Sequence, residues 1–471
     1  MKKRFICIAL ALFAMSQMVA CGNEAPAEEL GTISNGNTIT LNGNSIEISG
    51  TGMSVSGNVV TISALGSYTV TGKLSDGQIV VDIKDESAAS ELILDNVHIT
   101  NTAGPAIHVE TGKDLKLKFK GENSVISGTP VMESNDNASG AALYAEDDMS
   151  IKGEDGAVLN VVGYINNGIA CKNDLDIKGG TINVNAANNG IRGSDSVEIK
   201  GGTITVEAGN DGVKSTTVDK EGKGYINIEG GSLSVSAKGD GIAAETTMNI
   251  SGGIINVIST GDPALGSCKG IKANSKLEIS GGEISVNSQD HALESDADIV
   301  ISGGSANLIS NVSKAVKVDG QLNISGGNVS LFGQEDAVDS IGDVNISGGE
   351  LYVKSVHDGI QAGEANSGKG DINISGGKVI VDSYKLAFNP RGILNISGGS
   401  VLSVSNDNKT VSGQGFNQKG WNGVKGDELV LAKDGTEESK LTAGYGFKNV
   451  LVGIAEGKVT LSDGKITVEM N

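Results

Sequence analysis

Two columns of polar residues recur at fixed places in a repeating chain. Nine positions after each of a series of glycine pairs, allowing for insertions, stand Asn189, Asp211, Asp240, Lys269, His291, Lys314, Asp336 and Asp358. Three residues further on stand Arg192, Lys214, Ala243, Lys272, Glu294, Lys317, Asp339 and Gln361. Lysines gather in the middle of both columns, with carboxylates to either side. If the repeats stack as strands, neighbours in a column lie ~5 Å apart, so like charges repel unless a partner intervenes. Ammonium groups at that spacing suit an acidic polymer laid across the repeats. Arg192, Lys214, Lys269, Lys272, His291, Lys314 and Lys317 are the candidate binding residues.

The carboxylates invite a metal. Asp336, Asp339 and Asp358 converge from two repeats, and Asp211 and Asp240 come from adjacent ones. Hard oxygen ligands at this density suit calcium, which would also bridge protein carboxylates to those of an acidic polymer. No loop matches an EF-hand, and the glycine pairs are too far apart for the nonapeptide calcium repeat. The rival reading of both columns is a solvated, turn-forming ladder, since Asp and Asn before Gly are ordinary turn residues.

The element that positions these columns is a returning glycine pair. Its first glycine falls at Gly179, Gly201, Gly230, Gly252, Gly281, Gly303, Gly326, Gly348, Gly376 and Gly398, in steps of 22 or 23 residues, or 28 or 29 where a loop is inserted. A period in this range means stacked units, none of which buries its apolar face alone. Each unit carries three short alternations of apolar and polar residues: Leu322-Asn323-Ile324 before the pair, Ile182 and Val184 after it, and a third beginning at Ile191 or its equivalents. Period two with β-branched residues predicts strands. Three strands and three glycine-bearing turns close one coil. Because the pattern repeats without reversing, like strands stack in parallel. The fold class is therefore all-β, a parallel β-helix with three short strands per coil of about 22 residues.

The chain divides accordingly. Residues 1–20, with Lys2, Lys3 and Arg4 before the apolar run Phe5–Met15, read as a secretory signal too short to span a membrane. Met18-Val19-Ala20-Cys21 resembles a bacterial lipoprotein signal with methionine where leucine is usual; it implies lipidation at Cys21 and attachment at the cell surface or in the periplasm. Ordinary cleavage leaving Cys21 unmodified is the alternative. Residues 21–31 form an acidic tether, 32–91 an N-terminal cap and first coils, 92–411 the β-helix, and 412–471 a C-terminal β cap near Trp421. A longer loop is expected near 129–140. An atypical first unit is what a solenoid needs to cover its open end.

Composition excludes some partners. Without residues 1–20 the net charge moves from −21 to −24, so nucleic acid, which needs a basic footprint, is not a partner. Cys171 and Cys268 lie about four coils apart, roughly 19 Å, too far for a disulfide. Cys171 occupies an inward slot and is expected to be buried. A monomer is expected.

The segments YTVTGKLSDGQIVVD, ELILDNVHIT, AIHV, ALYAEDDMSIKG, NNGIACKNDLDIKGGTINV and NDGVKS, in that order over residues 60–400, resemble the bacterial carbohydrate-binding domain-containing proteins, which are similar in fold to pectate lyases. The resemblance implies a right-handed parallel β-helix at the cell surface that binds acidic, polygalacturonate-like polysaccharide. It does not imply catalysis. On it, the seven candidates above become carbohydrate-binding residues and calcium an accompanying ion.

Two rival functions remain. A lyase needs a base such as arginine, and the body offers Arg192 and Arg391; a hydrolase needs opposed carboxylates, for which Asp336 and Asp358 are the stacked pair. A structural or adhesive stalk needs neither. Other motifs fail. GEANSGKG at 363–370 lacks the Ser or Thr of a P-loop, and the four histidines are too scattered for zinc. The Asn-Ile-Ser triplets at Asn249, Asn323, Asn345, Asn373 and Asn395 predict an outward asparagine column. Tyr352 reads as a lone surface aromatic.

Overall fold

In the computed structural model the described residues are 36–130, 141–407, 411, 418–423, 425–445, 447–454, 459–462 and 467–470. The expectations for Cys21, the signal and tether, and most of the loop at 129–140 lie outside them. The described chain is all-β, a parallel solenoid of about 14 turns.

One coil shows how the sequence makes it. Leu322–Ile324, Asn328–Gly333 and Val338–Ser340 are its three strands. Each pairs in parallel with its counterpart 22 residues on or back: Leu322 opposite Val344, Val329 opposite Leu351, Val316 opposite Val338. Alternation then sends Leu322, Ile324, Val329, Leu331 and Val338 inward, where all are buried. The third strands, with the N-terminal strands Met53–Ser56 and Val59–Ile62 at one end, form a 15-stranded sheet.

The two glycines of a pair do different work. The second takes a positive φ, +82° at Gly327 and +77° at Gly349, which side chains rarely tolerate. The first is kept small by its neighbour: a Cβ on Gly326 would run into the carbonyl oxygen of Ser302 one coil below. Coils can therefore stack at strand spacing through the corner.

Asparagines outside the first strand form the expected column. Asn345 donates its side-chain amide to Asn323 at 2.9 Å, and Asn373 donates to Asn345 at 3.0 Å. Both Cys171 and Cys268 are buried free thiols.

The ends depart from the repeat. Asn37–Gly43 pairs antiparallel with Ile46–Ser49, and Met53–Ser56 with Val59–Ile62, before the strands join the parallel stacks. At the other end Phe447–Ile454 pairs antiparallel with Ser400–Ser405. The strands Glu428–Lys433, Thr436–Thr442, Val459–Ser462 and Thr467–Met470 make a separate antiparallel sheet. Leu429, Leu431, Leu441 and Phe447 pack on Ile380, Leu402 and Val404, which point outward from the second strands of the last coils. The C-terminal region thus covers the side of the solenoid as well as continuing a sheet at its end. Tyr352 packs against the same cluster and is not a lone surface aromatic, because this sheet arrives over it.

Candidate functional site

The outward positions of the third strands form one line, in the register the sequence implies. Arg192 lies opposite Lys214, Lys214 opposite Ala243, Ala243 opposite Lys272, Lys272 opposite Glu294, Glu294 opposite Lys317, Lys317 opposite Asp339, and Asp339 opposite Gln361. The other column precedes each third strand at the turn, and its polar members are largely drawn inside.

That inner column is a hydrogen-bond ladder. The backbone N–H of each residue donates to the side-chain oxygen one coil below: Asn189 to Asn167 at 3.2 Å, Asp211 to Asn189 at 3.2 Å, Asp240 to Asp211 at 2.8 Å and Lys269 to Asp240 at 2.8 Å. It resumes with Asp358 to Asp336 at 2.9 Å and Leu386 to Asp358 at 3.1 Å. Asn or Asp serves because each presents an acceptor at the right reach. Between the two runs stand Lys269, His291 and Lys314, which offer no such acceptor. The lysines gather where the ladder breaks.

These bonds bear on calcium. Asp211 spends one oxygen on Asp240 and the other on the Lys214 ammonium at 2.6 Å. Asp240 accepts from Ser267 and Lys269, and Asp358 from Leu386 and Asn389. Asp339 accepts from the Gln361 amide and lies 3.6 Å from Lys314. Among the described residues no group of three or more His, Cys, Asp or Glu side chains stands where it would hold a metal ion. The five aspartates do not fit a preformed calcium cage, because they are not grouped in threes and each has at least one oxygen already accepting a hydrogen bond.

The centre of the face is a compensated cluster and not a bare cationic strip. Glu294, 7% exposed, interrupts the lysines, with Lys269 at 3.4 Å and Lys272 at 3.9 Å. Burial raises its pKa, while the charges of Lys269, Lys272 and Lys317 oppose that rise. Lys314 lies 3.3 Å from Glu335, and Lys317 is paired with Asp319. His291 is buried, and its nitrogens lie 3.5 Å from Asp290 and 3.6 Å from Glu294. Burial pushes its pKa down to about 4, so at neutral pH it is uncharged and adds no cation to the face. As a neutral imidazole it still carries one donor and one acceptor nitrogen.

Lys272 differs from its neighbours. Its nearest carboxylate is Glu294 at 3.9 Å, beyond hydrogen-bond distance, so its ammonium donates to no described residue. Lys269 reaches Ser267 at 3.2 Å, and Lys214 is tied to Asp211. Arg192 sends one terminal nitrogen to Thr216 at 3.3 Å, and its Nε has no partner. Glu294 lies within 4 Å of Lys269, Lys272 and His291 and is not among the binding residues expected from the sequence. Its signal was the single negative residue between Lys272 and Lys317 in the outward column. Asp290, Glu335 and Asp319 lie in turns, where acidic residues carry no such signal.

A concavity of about 420 Å³ lies off this face, bordered by Val218–Lys223, Tyr225, Thr246 and Thr247. Its lysines are engaged: Lys220 with Asp195 at 3.2 Å and Lys223 with Asp174 at 2.7 Å.

A family model described as carbohydrate-binding domain-containing protein matches residues 56–312 and 306–470. A curated protein of the same description from Acetivibrio thermocellus is 39% identical over 131 residues, covering 27% of this chain. The match spans 45% of that relative, just under half its length. A solved structure of a polysaccharide lyase-like protein from C. thermocellum, a gadolinium derivative, aligns at 30% identity with a TM-score of 0.44. That alignment covers 62% of this chain and 99% of the other.

Proposed function

The chain belongs to the family of carbohydrate-binding domain-containing proteins, and we propose that it binds polysaccharide on the outward face of its third strands. The ligand is an acidic, polygalacturonate-like chain lying across the coils around Lys269, Lys272, Lys314 and Lys317. The observation that carries this is the Lys272 ammonium, which has three donors and no hydrogen-bond partner among the described residues. Around it, Lys269 lies 3.4 Å from Glu294 and 4.0 Å from Asp290, and Lys317 is paired with Asp319, so Lys272 is the cation left with the weakest local partner. A glycan carboxylate meets that spare capacity. Arg192 and Lys214 extend the same line of cations toward the N-terminal coils.

Calcium enters this reading as a bridge in the complex, shared between outer carboxylates such as Glu335 and those of the glycan, with no resident site in the free protein. The Cys21 signal adds an anchor: a lipoprotein held at the membrane through its first mature residue. Cys21→Ser should then leave the membrane fraction, and unchanged fractionation overturns the anchor.

The test is polygalacturonate binding at low ionic strength. Lys272→Gln together with Lys317→Gln should weaken it several-fold, since exposed charge contacts are individually worth ~1 kcal/mol or less. Lys220→Gln with Lys223→Gln, beside the separate concavity, should change little. If the second pair weakens binding and the first does not, the glycan lies at the concavity and this face is not the site.

A further inference from the structure

Three of the chain's seven tyrosines, Tyr352, Tyr384 and Tyr445, gather where the last coils meet the C-terminal sheet. Tyr352 is accounted for by the apolar cluster it packs against. Tyr384 is not: it directly follows the strand Lys378–Ser383 and is 48% exposed. Its ring meets that of Tyr445 edge to face, with centroids 5.9 Å apart and planes at 77°. The Lys354 ammonium lies over the Tyr445 ring, 5.4 Å from its centroid. Lys354 has no carboxylate within ion-pair distance among the described residues, although Asp382 is opposite it in strand register.

Asp382 is spent on building this arrangement. It is 1% exposed and accepts the backbone N–H of Gly444 at 2.6 Å. Its other oxygen is buried without a hydrogen bond. A buried carboxylate on the solenoid thus pins the turn that carries Tyr445 beside Lys354 and Tyr384. The outcome is a half-exposed aromatic ring and an ammonium that acts on the buried Asp382 carboxylate from beyond ion-pair distance, both within 6 Å of one tyrosine ring. Sugars are recognised by such pairs: the C–H face of a pyranose lies on an aromatic ring while a charged group takes its polar substituent.

We propose that Tyr384, Tyr445 and Lys354 form a second glycan subsite that takes one uronate residue, its ring on Tyr384 and its carboxylate at Lys354. The proposal rests on the reading of the protein as an acidic-polysaccharide binder. It places a contact point on the second-strand side of the last coils, apart from the third-strand face.

Trigalacturonate and the full chain test it by titration calorimetry and by nitration of Tyr384 with tetranitromethane, mapped by mass spectrometry. Trigalacturonate should protect Tyr384. Tyr384→Ala and Lys354→Met should each weaken binding roughly three- to tenfold, while Tyr384→Phe keeps the ring and binds like the parent. Because Tyr384 is half exposed, its replacement should leave the melting temperature unchanged. The Lys272→Gln/Lys317→Gln variant should retain protection of Tyr384. If Tyr384→Ala binds like the parent and Tyr384 is nitrated equally with and without sugar, while the lysine pair still weakens binding, the subsite falls and the third-strand face stands. If protection is seen and the lysine pair has no effect, the subsite stands and that face falls. If the parent binds neither trigalacturonate nor polygalacturonate, both fall.

Discussion

Asp358 donates its backbone N–H to the Oδ1 of Asp336 across the step between adjacent coils, at 2.9 Å. Upstream, the uncharged Asn189 side chain accepts the backbone N–H of Asp211 in the same way. The bond needs only an acceptor, so the negative charge at Asp336 is unnecessary for it. Burial, with Asp358 and Asp339 close by, pushes the Asp336 pKa up to about 6. A carboxyl whose pKa is raised in the fold stabilises the folded chain while protonated; that contribution is present at and below pH ~4 and is lost as pH rises through ~6. Asp336→Asn should therefore melt higher than the parent at pH 7, by up to about 3 kcal/mol of stability, and equally at pH 4. Melting curves of both proteins from pH 4 to 8 check this. A difference independent of pH would show that the Asp336 charge is not the cause.

Much of the fold was legible because a solenoid repeats its own instructions. Ten glycine pairs, with apolar residues at fixed offsets, define three strands, their inward faces and the line from Arg192 to Gln361. What the repeat could not show is which polar residues turn inward. Asp211 and Asp240 look like surface acids, yet each closes a bond to the next coil. Asp and Asn are interchangeable as acceptors, so the column reads as mixed charge when its job is backbone satisfaction. The C-terminal sheet was hidden for another reason. Its strands carry no repeat, and Ile380, Leu402 and Val404 look like stray apolar residues on a polar face until something packs on them.

The inward register makes a sharp stability prediction. Val257, 1% exposed, lies in the middle of the second-strand stack between Val235 and Val286. Val257→Asp buries a carboxylate with no partner and should cost about 3–5 kcal/mol. Circular dichroism melting should show a clear drop. A shift of less than about a degree would mean the side chain finds water or a partner at that position.

Attachment of the C-terminal sheet can be tested separately from the coils. Leu402 is fully buried although it points outward from its strand, because Leu429, Leu431 and Phe447 cover it. Leu402→Glu places a charge in that apolar contact and should loosen the sheet without unwinding the solenoid. Limited proteolysis should then cut within 425–470 first, leaving a resistant core, with increased binding of an apolar dye. Simultaneous loss of both parts would show that they melt as one unit.

The third-strand face makes its own prediction in salt. Lys272 and Lys317 are 23% and 30% exposed, so they are partly screened by solvent ions, and the proposed glycan contacts are ionic. Polygalacturonate affinity should fall as sodium chloride rises from 20 to 300 mM, a range over which the screening length shrinks to roughly 6 Å. Lys272→Gln/Lys317→Gln should flatten that dependence, losing most affinity at low salt and little at high salt. Calcium gives a second, independent axis. If it only bridges protein and glycan, a chelator should weaken binding while leaving the melting temperature of the free protein unchanged, because the ladder joining the coils is made by backbone amides on aspartate oxygens such as those of Asp211 and Asp336. A chelator that lowers the melting temperature would reveal a resident ion. Salt-independent binding would remove the ionic basis of the face, and with it the ionic half of the tyrosine subsite at Lys354.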